Sequence, residues 1–283
     1  MSQINGYTTL ADYKKWSAAR GLSGSISTDT SDDAVITSLI ENVSRYIDNE
    51  TNRKFFPHIE TRLYDVPNEG NPRQILVDDD LLEVITLTNG DDTVLTTTDY
   101  FLLPRNESPK FAIQLKDYSS VYWSADDNGS NEGVISVLGW YGYHADYTQR
   151  AWKSVGTTNA AVTDTTTASF SCTTGHAVLI DTITKINTEI FMIKTSGTNT
   201  IVPDKRGDNG STAATHLTAQ TVYEWQVMAD IRNACLQILD NVYSDRSGQN
   251  AGRISVTASG IVIRPEDVPT MAQRTIDRYG RQF

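Results

Sequence analysis

Apolar positions change their spacing along this chain, from a helical period to a strand period and back. In TLADYKKWSAARG, Leu10, Tyr13 and Trp16 fall on one helical face. Thr8 or Thr9 is placed to cap the start and Gly21 the end, which predicts a helix over about 9–20. A polar loop, LSGSISTDTS, follows. The clearest helix is DDAVITSLIENVSRYIDNETNRKF, where Val35, Ile36, Leu39, Ile40, Val43, Tyr46 and Ile47 recur at i, i+3, i+4 and i+7. Asp32 and Asp33 sit at the positive end of its dipole, Arg53 and Lys54 at the negative end, and Pro57 stops its continuation.

From about residue 60 to 140 the period becomes 2. ETRLYDV, RQILV, LLEVITLT, TVLTTTDYFLL, KFAIQLK and GVISVLGWYGY are short β-rich runs. They are separated by turn residues at 68–72, 89–92 and 126–129, with Asn89-Gly90 a hairpin signal. Near residue 154 the composition shifts to Thr, Ser and Ala with almost no charge. AVLIDTITKINTEIFMIKTSGTNTIV and THLTAQTVYEW then read as strands joined by tight turns at 185–187 and 196–199. Residues 155–223 are thus expected to be an inserted all-β domain of about five strands. The helical period returns in EWQVMADIRNACLQILDNVYSD, with Val227, Ile231, Ala234, Cys235, Ile238, Leu239 and Val242 in one stripe, broken at Ser247–Asn250. RISVTASGIVI reads as a hairpin, and a last helix starts at Pro265, Glu266 and Asp267. Met271, Ile276 and Tyr279 fit one face of it only in part. The expected fold is α+β: a helical core with a small antiparallel sheet, formed by residues 1–154 and 224–283, plus the inserted all-β domain.

Composition fits a folded chain: 283 residues, 39% hydrophobic and 21% charged. The net charge of −11, with no basic run of five residues, argues against tight wrapping of nucleic acid. An acidic wall instead repels DNA and lets it pass. Cys172 and Cys235 stand far apart with no Cys-x-x-Cys, so two buried thiols are expected rather than a disulfide framework or zinc site. No run approaches 18 apolar residues, so no membrane span is expected. MSQINGYTTL lacks the charged start and apolar stretch of a secretory signal.

The chemistry-bearing motifs are weak. Arg206-Gly207-Asp208 in KRGDNGSTAATH spells an integrin signal, but an Asp/Asn-Gly turn explains it: Gly207 and Gly210 take positive φ, and Asp208 and Asn209 bond local backbone. GDNGST lacks the lysine and spacing of a phosphate loop. His58, His144, His176 and His216 show no i, i+4 pair, and His216 is expected to pack beneath the 206–210 turn. The acidic groups at 29–33, 78–80 and 126–127 do not fit a calcium loop. Strand alternation places Trp140 and Tyr141 on opposite faces, as packing residues rather than a stacking platform. No catalytic order emerges, so the chain is not expected to be an enzyme, and no cofactor or metal is expected.

The order of parts resembles a known family. YTTLADYKKW, ITSLIENVSRYIDNETNRKFF and GVISVLGWYGYH look like the head–tail connector, or adaptor, proteins of long-tailed double-stranded DNA phages. In smaller members a helix follows that last strand almost directly; here it begins only near 226, which agrees with an insertion. The inserted segment is similar to a small β module of phage structural proteins, through a TEIFMIKTSGTNTIV-like hairpin and Arg-Gly-x-Asn-Gly-Ser/Thr-x-Ala-x-x-His at 206–216. The resemblance implies a virion neck protein, made in the host cytoplasm. It would form a ring, usually of twelve copies, that extends the DNA channel. Its partners would be the portal, a tail-side stopper or tail terminator, further copies of itself, and double-stranded DNA in passage, with no membrane. Docking onto the portal would fall to the C-terminal segment, with Arg264, Arg274, Arg278, Tyr279, Arg281 and Phe283 as candidates. Asp78, Asp79 and Asp80 are candidates for lining the channel. The competing expectation is a virion protein that binds a host receptor or carbohydrate through the inserted domain.

Overall fold

Thr9 begins the first ordered helix, α1 (Leu10–Ala19), and caps it as the sequence suggests: the Asp12 amide donates to Thr9 Oγ1 at 3.1 Å. The structure is a computed structural model that describes residues 5–19, 30–247, 255–257, 260–262 and 268–281. The expected cap at Gly21, the break at 248–250 and the helix start at Pro265–Asp267 lie outside the described residues. The chain forms two compact units. One comprises Met1–Phe56, Trp152–Asp208 and Thr212–Phe283; the other comprises Pro57–Ala151 with Asn209–Ser211.

The expectation of a helical core with a small sheet is overturned. Two six-stranded antiparallel sheets dominate the described chain, and 24% of it is helical. The cause is strand pairing that local pattern understates. RQILV and LLEVITLT join into one continuous strand, and the segment expected as an insertion of about five strands carries six.

In the first unit, α2 (Asp33–Thr51) buries Ile36, Leu39, Ile40, Val43, Ser44, Ile47 and Thr51. It ends on Asn52 in the left-handed conformation, φ 51°, whose amide donates to the Asp48 carbonyl. Ser44 and Thr51 belong to the buried face because their hydroxyls fold back to the carbonyls of Ile40 and Ile47, which satisfies them locally.

The second unit is built on one open sheet. Its strands are β1 (His58–Tyr64), β2 (Gln74–Thr88), β3 (Val94–Leu95), β4 (Tyr100–Leu103), β5 (Lys110–Leu115) and β6 (Ile135–Tyr141). They run in the order β1-β6-β2-β5-β4, with β3 paired to β2. One face packs Ile75, Val77, Leu81, Leu87, Ile113, Leu115, Ile135, Val137 and Tyr141 into a core. Between Leu76, opposite Ala112, and Leu81, opposite Lys110, β2 carries extra residues and bulges. The hairpin expected at Asn89-Gly90 joins β2 to β3, but the positive φ falls on Asp92, 60°. Gly90 is there for space: a Cβ would lie 2.0 Å from the Ser124 carbonyl oxygen. A short helix, α3 (Tyr147–Arg150), closes this unit.

The chain returns to the first unit as β7 (Trp152–Thr157), β8 (Phe170–Ser171), β9 (Ile183–Ile186), β10 (Glu189–Ser196), β11 (Thr200–Pro203) and β12 (Thr221–Trp225), in the order β7-β12-β9-β10-β11-β8. The two edge strands meet through a Thr158–Cys172 bridge. Asn159 N donates to Ser171 O at 2.9 Å and Thr173 N to Thr157 O at 2.9 Å, closing the sheet into a small barrel. Phe170, Cys172, Ile186, Phe191, Ile193, Ile201 and Val222 fill it. Next, α4 (Ala229–Ser247) buries Ile231, Ala234, Cys235, Ile238, Leu239 and Val242 and packs on α2. β13 (Ser255–Thr257) and β14 (Gly260–Val262) form the expected hairpin. Last, α5 (Thr270–Tyr279) lays Ala272 and Ile276 against α4 and α2. Both cysteines are free and buried, and burial pushes the Cys172 thiol up to about 11 and the Cys235 thiol to about 12.

Candidate functional site

Glu189 opens β10 and is fully buried, which is costly for a carboxylate unless donors surround it. Five do. Arg206 Nε and the Gly207 amide donate to Oε1 at 2.6 and 3.1 Å. Arg206 Nη2, the Ala214 amide and His216 Nε2 meet Oε2 at 2.9, 3.0 and 2.7 Å. Burial pushes the Glu189 pKa up, but the bonds from His216, Arg206 and Ala214 and the guanidinium charge outweigh it, and the group is held at about 2. Arg206 also donates to the carbonyls of Thr167 and Ala214 and lies over the Phe170 ring, 4.7 Å from its centre. The His216 backbone exchanges two hydrogen bonds with Val162.

This arrangement explains the Arg-Gly-x-Asn-Gly frame. The Arg206 side chain is only 9% exposed and faces inward, so the tripeptide cannot offer its guanidinium to a receptor. Gly207, Asn209 and Gly210 all hold positive φ, at 65°, 46° and 78°. Asn209 and Gly210 belong to the second unit, where Ile59 N donates to Asn209 O at 2.8 Å and Asn209 Nδ2 to Pro57 O at 3.0 Å. A Cβ at Gly210 would lie 1.9 Å from Ile59 O.

Asp78, Asp79 and Asp80 lie on the bulged part of β2. Arg62 pairs with Asp78 at 2.9 Å and Asp79 at 2.7 Å, and Tyr64 Oη donates to Asp78 at 2.8 Å. Asp80 is 3% exposed, and its carbonyl accepts from Gly142 N. The triplet is therefore partly neutralised and partly buried, and Asp78 alone keeps a mostly exposed carboxylate.

Among the C-terminal candidates, Tyr279 and Arg281 are anchored to their own unit. Tyr279 Oη donates to Asp230, Tyr279 O accepts from Arg53 Nε at 2.8 Å, and Arg281 N donates to Thr51 O at 2.9 Å. Arg274 and Arg278 are exposed one helical turn apart, on a stripe with Met271, itself 71% exposed. Arg264 and Phe283 lie outside the described residues.

The histidines do not converge. His58 and His144 are buried in the second unit, where His58 lies 3.4 Å from Glu60 and His144 Nδ1 accepts from Asp146 N. His176 and His216 belong to the first unit, and only His216 meets an acid. Trp140 and Tyr141 are both buried, Tyr141 in the sheet core. No group of three or more His, Cys, Asp or Glu that could hold a metal occurs among the described residues, and no described helix is long and apolar enough to cross a membrane.

Two sites escape sequence reasoning. Tyr7 donates to Asp48 and accepts from Phe55 N, while its own amide donates to Ser44 Oγ; Arg45 pairs with Asp48 at 2.9 Å and donates to Asn5 O. Burial raises the Asp48 pKa to about 6 against the opposing pull of Arg45 and Tyr7. The second is the Glu189 hub. Its one local sign is an acid set within the apolar run EIFMI. No family model, curated protein or solved structure matches the chain.

Proposed function

We propose that this chain is a structural virion protein that forms a ring between the portal and the tail of a long-tailed phage and extends the DNA channel. The reading rests on the likeness of the three runs around α1, α2 and β6 to head–tail connectors. One structural observation favours it: α5 is pinned through Tyr279 and Arg281 while Arg274, Arg278 and Met271 stand exposed on one stripe, a rigid basic surface suited to a partner. The inserted barrel is held by an internal ion network and contributes architecture. The net charge of −11 suits a wall that DNA slides past.

The test is assembly. The Arg274→Glu/Arg278→Glu double variant should keep the native circular dichroism spectrum and fail to join purified portal rings, as read by electron microscopy of the joint. Portal joining at the wild-type level would remove the role assigned to α5. Deleting 155–223 separates the competing reading: intact particles that adsorb poorly to host cells would assign the barrel to receptor or carbohydrate binding instead.

A further inference from the structure

A cavity of about 230 Å3 opens within the first unit, between the residues before α1, the start of β9, the end of β12 and α4. At about 30 Å3 per water it has room for roughly seven waters, or for a short alkyl chain with a polar head. Its wall carries three carboxylates, Asp12, Asp181 and Glu224, and two cations, Lys153 and Arg232. The charges are not matched in pairs. Arg232 meets Asp12 only at 3.8 Å, at a half-exposed rim. Lys153 stands opposite Glu224 in the β7–β12 ladder, with no ion pair between them.

Glu224 is 8% exposed. Gln226 Nε2 donates to its Oε1 at 2.9 Å, while Oε2 has no hydrogen-bond partner among the described residues. Asp181 lies on the same wall, and burial raises its pKa against the opposing charge of the chain's α-amino group. A deeply buried acid with an orphaned oxygen is a costly arrangement, and a cationic donor relieves it. Leu179, Ile183 and Val227 supply apolar wall for an alkyl stem. Trp225 is fixed there by Nε1 donating to Phe55 O at 3.0 Å and by an edge contact with Trp152 at 5.0 Å.

We propose that this cavity binds a primary alkylammonium or guanidinium head, with Glu224 and Asp181 as the receiving carboxylates. Such a head comes either from a free polyamine or from a lysine or arginine side chain of a partner protein. The proposal stands apart from the ring assignment, because it concerns a pocket within one unit of one chain.

Calorimetry of the full chain at fixed ionic strength tests it, with n-butylammonium as probe and n-butanol as the neutral control. Saturable binding of the ammonium, at least about tenfold tighter than the alcohol, is expected. Spermidine and Nα-acetyl-lysine methylamide then separate the sources: tighter binding of the first marks a free polyamine, of the second a protein side chain. Glu224→Gln and Asp181→Asn should each weaken the ammonium by about tenfold or more. Asp181 is partly exposed, so its variant decides the matter if the Glu224 variant fails to fold. Lys153→Met should leave affinity unchanged or tighten it, because it removes a competing cation. No saturable binding, equal binding of the alcohol, full affinity in Asp181→Asn, or loss of affinity in Lys153→Met would each overturn the proposal.

Discussion

Replacing Glu189 with Gln keeps the side chain's shape and removes its charge. The amide that replaces one carboxylate oxygen is itself a donor, so it faces donors from Arg206, Gly207, Ala214 or His216. The native carboxyl is held at about 2 against an ordinary 4.5, a difference worth about 3 kcal/mol at about 1.36 kcal/mol per unit. Because the folded pKa is depressed, that stability is fully present above about 4.5 and is lost as pH falls through about 2. The variant lacks this contribution at every pH. Urea denaturation of both proteins from pH 6 to pH 2 should therefore show a stability gap of about 3 kcal/mol or more at pH 6 that narrows toward pH 2. Hydrogen exchange gives a local check: the Gly207 and Ala214 amides, which donate to Glu189, should lose protection in the variant while the amides of β5 and β6 keep theirs. A gap below about 1 kcal/mol, or one that does not change between pH 6 and pH 2, would refute the view of Glu189 as a charged hub.

At Gly210, φ is 78° and a Cβ would lie 1.9 Å from Ile59 O, so Gly210→Val should cost at least about 2 kcal/mol in thermal or chemical unfolding. Asp208→Ala, two residues away, keeps the Asp208 amide's bond to Ile190 O and should leave assembly unchanged, as read by electron microscopy. Asp48 behaves in the opposite sense to Glu189. Its folded pKa is raised to about 6, so its contribution is fully present below about 3.8 and is lost as pH rises through 6. Stability of the wild type relative to Asp48→Asn should fall by up to about 3 kcal/mol between pH 4 and pH 8, measured by denaturant titration, and a flat difference would count against the burial argument.

Much of the local structure is readable without coordinates, and the reasons are short-range. α2 keeps the i, i+3, i+4 stripe through Ile36, Leu39, Val43 and Ile47, because a helix satisfies its backbone within itself. Thr9 caps α1 and Asn52 closes α2 through bonds spanning three or four residues. The positive φ of Gly207 and Gly210 follows equally from local turn chemistry. Pairing was less legible. The bulge that carries Asp78–Asp80 arises from the mismatch of β2 with β5, a partner some thirty residues on, and turns an apparent acidic patch into one salt-bridged pair and one buried side chain. Fold class failed on the same ground: the balance of sheet to helix depends on which short runs find partners.

The sequence by itself determined the main helices and the turns, because those follow from spacing within one stretch of chain. Only the tertiary structure decided that the inserted strands close into a barrel through Thr158 and Cys172. It also decided that Arg206 points inward to Glu189, and that Glu224 and Asp181 share a cavity wall. Burial and ion pairing depend on residues far apart in sequence meeting in space, and a carboxylate in a sequence carries no mark of whether water or a guanidinium will face it.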